Sequence, residues 1–421
     1  MAVYQEGIIV LALLCWLPSA VRADMLPELS WEDCVQEAVR NHPDLAAARE
    51  KLNQNKAQKD ITRAGALPQL NSSLSASRSN STGKSQTRTY AHEVTGKQLL
   101  FDAFKTSNDI AAAQEDVRAA KYNYQVVSSN VRLRLWTAFI DLLSAQESLK
   151  VVEGIAQRRR QSLDLIFLRY QGGREHKGSL LTAQANLAQA DFDVQQAKRN
   201  VDLSQRRLSK ELGRAEFMPM AAKGALETKD FDPVPPDFEQ LVGTVPFLKE
   251  LAAQKEAARF GVQSARSDFF PRVYVNAGAG KTDSSWPPGR NEWSAGLSLT
   301  FPLFEGGAQQ AQLSKARSAF NASRAEEQSG RDGMILTLAG TWTQWQDDAS
   351  HVDVQKKFLE ASQVRGKIAE AQYSTGLISF NDWIIIEDDL VKNEKAFVQA
   401  KTNALISEAD WLQAKGQTLD D

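Results

Sequence analysis

The sequence predicts a mainly α-helical protein with a small β part, built from two tandem copies of one unit. Two observations predict this fold class. A set of residues recurs 203 positions later in the chain, and each half contains a long proline-free stretch that follows a short region of apolar and polar alternation. The chain has 421 residues, 42% of them hydrophobic and 24% charged, which is typical of globular proteins.

Charge and composition exclude several classes of protein. The 50 Lys and Arg against 52 Asp and Glu give a net charge of −2, whereas nucleic-acid binders need a surplus of positive charge. Four His and two Cys leave little material for a metal centre, and we find no phosphate-binding loop or catalytic motif. We therefore expect no cofactor, no nucleic-acid partner and no enzymatic activity.

Residues 1–23 have the pattern of a secretory signal peptide. An apolar core, residues 8–17, is followed by Pro18 and by small residues that lead to a cleavage site after Ala23, with Ala20 as an alternative. We expect no lipid anchor, because neither cysteine follows a small residue: Leu14 precedes Cys15 and Asp33 precedes Cys34. Cys34 is then the only cysteine of the mature chain, which excludes an intramolecular disulfide.

The internal repeat divides the mature chain. The recurring pairs are Pro43 and Pro246, Arg63 and Arg266, Pro68 and Pro271, Phe101 and Phe304, Tyr170 and Tyr373, Gly173 and Gly376, and Leu187 and Leu390. We assign the first repeat to residues 24–213 and the second to 246–415, followed by a tail over 416–421. The prolines of the linker, 214–245, are expected to break any regular element there.

Each repeat should contain a helix, two strands and a long helical hairpin. A helix over 43–67 should stop at Pro68. Strand–loop–strand regions are predicted over 69–101 and 272–303, most clearly where apolar side chains alternate with small polar ones over 293–301. Helical hairpins are predicted over 105–213 and 306–415, with a first helix about 100 Å long.

The strands and helices together indicate an oligomer. Four strands of about 10 residues have the length and alternation of outer-membrane strands, but a closed barrel needs at least about eight. Three chains would supply twelve strands and twelve long helical segments. The arithmetic therefore favours a trimer.

This combination of signal peptide, duplicated halves, strand pairs and long hairpins resembles the TolC-type outer-membrane efflux proteins. The resemblance rests also on the sequence Leu303-Phe304-Glu305-Gly306-Gly307 at the end of the second strand pair and on the two Tyr-x-x-Gly turns. It covers about residues 29–415. It implies a homotrimer in the outer membrane of a Gram-negative bacterium. A 12-stranded transmembrane β-barrel would contact outer-membrane lipid, and an α-helical barrel would extend into the periplasm toward a periplasmic adaptor and an inner-membrane pump.

The resemblance also implies a constriction at the hairpin tips. Matched by position, the constriction candidates are Asp382, Tyr373 and Arg169. The usual second acidic position is Ile385 here, and Ser179 stands where the first tip has an Asp, so the closing network must differ. Asp382 is equally well explained as a helix-capping acid.

Two further groups of residues are candidates for contacts. The adaptor-docking candidates at the tips are Gly173, Arg174, His176, Lys177, Gly376 and Leu377; the alternatives are glycines needed by the turns and a solvated basic loop. The candidates for a membrane-interface belt are Tyr90, Phe101, Tyr274, Trp286, Trp293 and Phe301, with core packing as the alternative. The charge runs over 158–160 and 387–389 should be solvated faces or inter-helix pairs.

The function predicted from the sequence is a passive exit duct of a tripartite export system, most simply for small-molecule efflux. The alternatives are the outer-membrane component of type I protein secretion and, from a different class, a soluble periplasmic coiled-coil scaffold. The regular apolar stripe over 293–301 favours the duct, because a scaffold has no use for an outward apolar strand face.

Overall fold

The computed structural model describes residues 27–80, 87–228 and 234–420; the predicted signal peptide lies outside this part of the chain. The first repeat contains β1 (Glu28–Leu29), α1 (Trp31–Asn41), α2 (Pro43–Ala64), β2 (Gln69–Ser79), β3 (Thr87–Phe101), α3 (Lys105–Gln171) and α4 (Lys177–Glu211). After β4 (Ala221–Ala222) and α5 (Phe238–Leu241), the second repeat contains α6 (Pro246–Ser267), β5 (Arg272–Asp283), β6 (Arg290–Thr300), α7 (Ala308–Thr375) and α8 (Phe380–Ala414). The chain is thus mainly helical with a small β part.

Strands from both repeats form one antiparallel sheet in the order β2-β3-β5-β6. Strand β3 pairs with β5 from Tyr90 opposite Asp283 to Phe101 opposite Val273, with a bulge just before Phe101. Within the described residues, β2 and β6 each have one unpaired edge. The sheet therefore presents a row of free backbone hydrogen-bonding groups on either side.

The two faces of the sheet differ in character. One face is apolar: Leu70, Leu74, Val94, Trp293, Leu297 and Leu299 alternate onto it and are between 45% and 82% exposed. The other face is polar: the Asn276 amide donates to the Ser298 hydroxyl at 3.0 Å, and the Lys97 ammonium lies 4.0 Å above the Tyr274 ring. A sheet with a large exposed apolar face requires an apolar environment.

The helices pack lengthwise on α3. Helix α3 contacts α2 and α6 in the part near the sheet, and α4 and α8 in the part away from it; α7 contacts α6 and α8. The largest core joins α3 to its neighbours, with Leu135, Leu142, Leu208 and Leu405 all buried. Among the described residues, no helix is both long enough and apolar enough to cross a membrane.

Four helix ends share one capping geometry. After α3, the Arg174 amide donates to the Arg169 carbonyl at 2.8 Å around Gly173, and after α7 the Leu377 amide donates to the Gln372 carbonyl at 2.8 Å around Gly376. The same pattern occurs after α4 at Gly213 and after α8 at Gly416. All four glycines have positive φ, as this termination requires. The repeat offset of 203 therefore also relates Gly213 to Gly416.

The structure differs from the sequence predictions in two places. Helix α2 ends at Ala64, three residues earlier than predicted, because a turn over 65–67 separates it from Pro68. The linker is not free of regular structure: β4 pairs with β1, and the Asp237 side chain caps α5 by accepting from the Gln240 amide at 3.0 Å. Helix α7 runs unbroken through its three glycines to Thr375.

Candidate functional site

The candidate site is the end of the molecule where the hairpins α3–α4 and α7–α8 turn. Each turn is capped on both sides. At the first tip His176 Nδ1 accepts from the Ser179 amide at 3.2 Å, and at the second tip the Ser379 hydroxyl accepts from the Asp382 amide at 3.2 Å. His176 and Ser379 are 203 positions apart, so the two tips have the same backbone design.

Tyr373 lies inside this tip and is only 1% exposed. Its ring stacks on Trp383 with centroids 4.5 Å apart and planes at 13°, while the Arg169 guanidinium covers the other side at 4.7 Å. Its hydroxyl donates to Glu175 Oε2 at 2.8 Å. Tyr373 therefore joins the first hairpin to the second within one chain and does not point toward open space.

Arg169 completes the same joint. Its Nη1 donates to the carbonyls of Tyr373 at 3.0 Å and Ser374 at 3.3 Å in the last turn of α7, and the Tyr373 carbonyl also accepts from the Gly376 amide at 3.0 Å. A cation at this place is also favoured by the helix dipole. Two of the three predicted constriction residues thus hold the hairpins together.

Glu175 is the tip residue that the sequence reasoning did not single out. Besides the Tyr373 hydroxyl, its carboxylate accepts from the Ser179 hydroxyl at 2.8 Å and the His176 amide at 3.3 Å. Partial burial raises the pKa of the Glu175 carboxyl, but these hydrogen bonds outweigh it and hold the pKa below its ordinary value. Burial, followed by the bond to Glu175, raises the pKa of the Tyr373 hydroxyl, so Tyr373 remains a donor.

Asp382 is exposed and caps α8. Its Oδ2 accepts from the Ser379 hydroxyl at 2.7 Å and from the Ser379 amide at 3.3 Å, which makes a reciprocal capping box. The capping role is therefore present in the structure.

The docking candidates lie at the extreme end of the hairpins. Gly173, Arg174, His176, Lys177 and Gly376 are exposed, and Leu377 is 75% exposed. Arg174 and Leu377 occupy equivalent positions in the two tips, as do Lys177 and Phe380, but Phe380 is buried against Tyr373 and Trp383. One backbone design thus carries basic side chains at the first tip and apolar side chains at the second.

The two charge runs meet between α3 and α8. The Arg158 guanidinium bonds Glu394 at 2.6 Å, Arg159 bonds Asp388, and Arg160 lies 3.4 Å from Asp191 of α4. The interpretation as inter-helix pairs is therefore correct.

Glu387 lies in the contact between α3 and α8, which we call the seam. It is 7% exposed, and its carboxylate accepts no hydrogen bond from the described residues. Burial raises the pKa of the Glu387 carboxyl, against the opposing effect of Arg158 and Arg159. The closed seam thus favours the protonated form of this carboxyl.

The aromatic candidates divide between the faces of the sheet. Tyr90, Trp293, Phe101 and Phe301 belong to the apolar face, and Trp286 lies in the β5–β6 loop with its ring 6.1 Å from Tyr90. Tyr274 lies on the polar face beneath Lys97, and the strand alternation excludes it from a belt formed by the others. Eleven residues separate Tyr90 from Phe101, a span of about 25–30 Å across a membrane for a strand tilted by about 40°.

A family model described as outer membrane efflux protein matches residues 34–214 and 239–417, once for each repeat. The chain belongs to the outer membrane efflux protein family. It is 20% identical to the outer membrane efflux protein BepC of Brucella suis over 91% of this chain and 84% of that protein. It is 22% identical to the outer membrane protein TolC of Escherichia coli over 89% of this chain and 78% of that protein.

Among solved structures, the fold is similar to the crystal structure of the Campylobacter jejuni CmeC outer membrane channel. The TM-score is 0.80 at 18% identity, covering 91% of this chain and 84% of that chain. The protein is therefore an outer-membrane channel component for efflux, with its helices extending into the periplasm. The sheet carries the exposed apolar face, and the β5–β6 loop over 284–289 lies at the end of the sheet away from the helices.

The family consists of channel proteins. Within the part of the chain that the structure describes, no group of three or more His, Cys, Asp or Glu side chains is placed to hold a metal ion. The buried Cys34 thiol has its pKa raised to about 12, first by burial and then by Glu37 and Asp33, so it is unreactive at neutral pH.

Proposed function

We propose that this protein is the homotrimeric exit duct of a tripartite efflux system that works with a periplasmic adaptor and an inner-membrane pump. The observation that carries the proposal is the four-stranded sheet with two unpaired edges and one apolar face. Pairing β2 of one copy with β6 of the next would satisfy both edges, and three copies give twelve strands, enough for a closed membrane barrel.

The helices support the same copy number. Helix α3 has 67 residues and α7 has 68, about 100 Å each, and exposed apolar side chains follow both hairpins. They include Leu181, Phe192 and Leu203 on α4, and Phe358, Val364 and Ile368 on α7, all 47–60% exposed. Neighbouring copies in a helical barrel would cover these side chains.

The tips form the closable end of the duct. The joint of Arg169, Tyr373 and Glu175 holds the α7–α8 hairpin against the α3–α4 hairpin of the same chain, and the three Asp382 carboxylates of a trimer surround the narrow end. A ring of carboxylates there favours cations over anions. Opening requires the second hairpin to leave the first, which breaks the Tyr373–Glu175 bond.

The tip turns are the docking site for the adaptor. Gly173 and Gly376 shape the turns, while Arg174, Lys177 and Leu377 are exposed beside them and His176, also exposed, caps α4. We assign small-molecule efflux to the system, because selection of the cargo belongs to the pump and the chain resembles proteins described as efflux components.

The decisive experiment is electron microscopy of the mature protein extracted from outer membranes in mild detergent, combined with planar-bilayer recording. The proposal expects a three-fold particle with a detergent-covered end, a helical tube of about 100 Å, and conducting channels. A soluble rod without a detergent belt, or a particle of another symmetry, would overturn it.

A further inference from the structure

The two repeats of the chain meet through one helix contact and one strand contact. Helix α3 of the first repeat packs on α8 of the second, and β3 of the first pairs with β5 of the second. The equivalents of α3 and β3, 203 positions later, are α7 and β6, and the equivalents of α8 and β5, 203 positions earlier, are α4 and β2. Among the described residues, α7 has no comparable contact with α4, and β6 does not pair with β2. These four elements therefore lack a partner that their counterparts have.

The charges on α7 and α4 are complementary at equivalent positions. In the α3–α8 contact, the Thr402 hydroxyl donates to the Ser144 hydroxyl at 2.8 Å. The positions related to these two by the repeat offset carry Asp347 on α7 and Arg199 on α4. Both side chains are exposed, and neither forms an ion pair with the described residues. An α7–α4 contact in the same register would join these opposite charges.

A second polar contact between α3 and the C-terminal end of α8 gives the same result. The Ser129 hydroxyl donates to the Gln413 carbonyl at 3.3 Å. The equivalent positions carry Asp332 on α7 and Lys210 on α4, again an acid and a base. Asp332 is exposed, and Lys210 is 78% exposed although it bonds Glu211 at 2.8 Å. Two separate points of the register thus bring an acid of α7 to a base of α4.

Nearer the tip, the exposed apolar side chains follow the same register. The bonds of Arg158 and Arg159 of α3 to residues 388–394 of α8 fix the intrachain contact there. Shifted by 203 positions, residues 361–362 of α7 face residues 185–191 of α4. Because the two helices run antiparallel, this register brings two pairs of apolar side chains together: Phe358 with Phe192, and Ile368 with Leu181. All four are 53–57% exposed in the single chain.

The end of β6 is consistent with the same rule. Strand β3 continues to Phe101, where its last residues pair with β5, whereas β6 stops at Thr300. The residue equivalent to Phe101 is Phe304, which is 87% exposed. The β3–β5 register places Phe304 opposite Leu70 in β2 of a neighbouring copy, and Leu70 is 74% exposed. The missing end of β6 thus corresponds to a missing partner strand.

We infer that each copy of the chain binds the next through the contact that joins its own two repeats, with α7 and β6 of one copy on α4 and β2 of the next in the register set by the 203-residue offset. The inference rests on the trimer of the proposed function and adds which residues meet. Asp347 pairs with Arg199, and Phe358 packs on Phe192, in adjacent copies. A second copy fits these faces because it supplies opposite charge and apolar surface at matching positions.

Cysteine cross-linking of the detergent-solubilised protein tests the register. The variants F358C/F192C and I368C/L181C should form disulfides between copies on mild oxidation, because a disulfide spans Cα atoms about 4.4–6.8 Å apart. The matched controls F358C/L181C and I368C/F192C use the same four positions, but the register separates their thiols by about eleven residues of helix, about 16 Å. These controls should stay uncross-linked. The four single-cysteine variants show that the buried Cys34 takes no part.

Exchange of charge provides a second measurement that needs no oxidation. Asp347→Arg should lower the thermal dissociation temperature of the trimer, because two cations then meet, and D347R/R199D should restore it. Cross-linking of the swapped pairs, no cross-linking in either set, or no restoration by the double variant would overturn the inference. Electron microscopy separates the two proposals: three-fold particles with these results refute only the register, whereas the absence of a three-fold particle refutes the duct.

Discussion

The hydroxyl of Tyr373 joins the two hairpins at the tip, and in the proposed duct this bond holds the tip closed. It donates to an ionised carboxylate, and such a bond contributes about 1.5–3 kcal/mol. Tyr373→Phe keeps the ring on Trp383 but removes the bond, so we expect the open state of each hairpin to gain about ten- to a hundredfold in population. The measurement is the leak conductance of the trimer in planar bilayers.

A matched control exists 203 positions earlier. Tyr170 holds the equivalent place in the first repeat, but it is 38% exposed and its hydroxyl has no partner among the described residues. Tyr170→Phe should leave the leak unchanged. Equal effects of the two substitutions would show that the Glu175 bond does not hold the tip.

Glycine at the helix ends gives a second prediction. In Gly376→Ala the added Cβ meets no neighbouring atom, so the substitution costs only the strain of a positive φ, about 1–2 kcal/mol. Gly416 has the same φ, but a Cβ there would collide with the ring of Pro246, which adds about 1–3 kcal/mol. We expect Gly416→Ala to lower the thermal dissociation temperature of the trimer more than Gly376→Ala; the reverse order would contradict the packing described at the α8 end.

At this scale the sequence indicated which residues matter at the tip but not what they contact. Tyr373 and Arg169 were recognised by position, whereas Glu175 was not. The partner of Glu175 lies 198 residues away in the chain, so no local pattern reveals the bond. Tyr274 lies on the polar face for a simpler reason: it is near a strand end, but it alternates with Val273 and Val275, which lie on the apolar face.

The seam between α3 and α8 predicts a pH dependence at the scale of elements. The charged groups facing Glu387 are Arg158 and Arg159 from α3, Glu370 from α7 and Glu394 from α8. The closed seam raises the pKa of Glu387 above its ordinary 4.5, so it binds a proton that the open seam releases. The contribution of Glu387 to closure is then fully present at about pH 4.5 and below, and it is lost as the pH rises through the raised pKa.

Leak conductance recorded from pH 4.5 upward checks this prediction. The wild type should leak more as the pH rises, and Glu387→Gln should remain tight and lose that pH dependence. Asp389→Asn removes a carboxylate two positions away that is 3.8 Å from Arg365 and outside the buried seam, so it should keep the wild-type profile. Below pH 4.5 the leak should instead increase as the pH falls, because protonation of Glu175, whose pKa is lowered, weakens the bond from Tyr373.

Helix and strand positions followed largely from the sequence, because proline, alternation and the repeat offset are local signals. The long helix α7 was predicted as well, although it contains three glycines. Gly330 disfavours a helix on its own, but it lies so close to the Leu251 side chain that a Cβ would not fit. Gly330 thus allows the close contact between α7 and α6, although glycine has a low helix propensity.

At the scale of the whole molecule, the environment of the sheet decides what a substitution costs. Leu297 lies in the middle of the apolar face, so Leu297→Arg should destabilise the assembled protein by about 2–4 kcal/mol. Ser298→Arg, one residue along on the polar face, should cost far less. Denaturant unfolding of the two variants in lipid vesicles measures the difference, and equal costs would mean that the apolar face is not exposed to lipid.

The shared backbone of the two tips has a consequence for symmetry. In the proposed trimer the tips form a ring of six turns with one backbone shape, while their exposed side chains alternate between Arg174 with Lys177 and Leu377. A partner ring of six identical subunits could contact the backbone of every turn in the same way, but it would contact basic and apolar side chains alternately. Such a partner would need two conformations of its own subunit: three subunits would contact the basic first tips, and three would contact the apolar second tips.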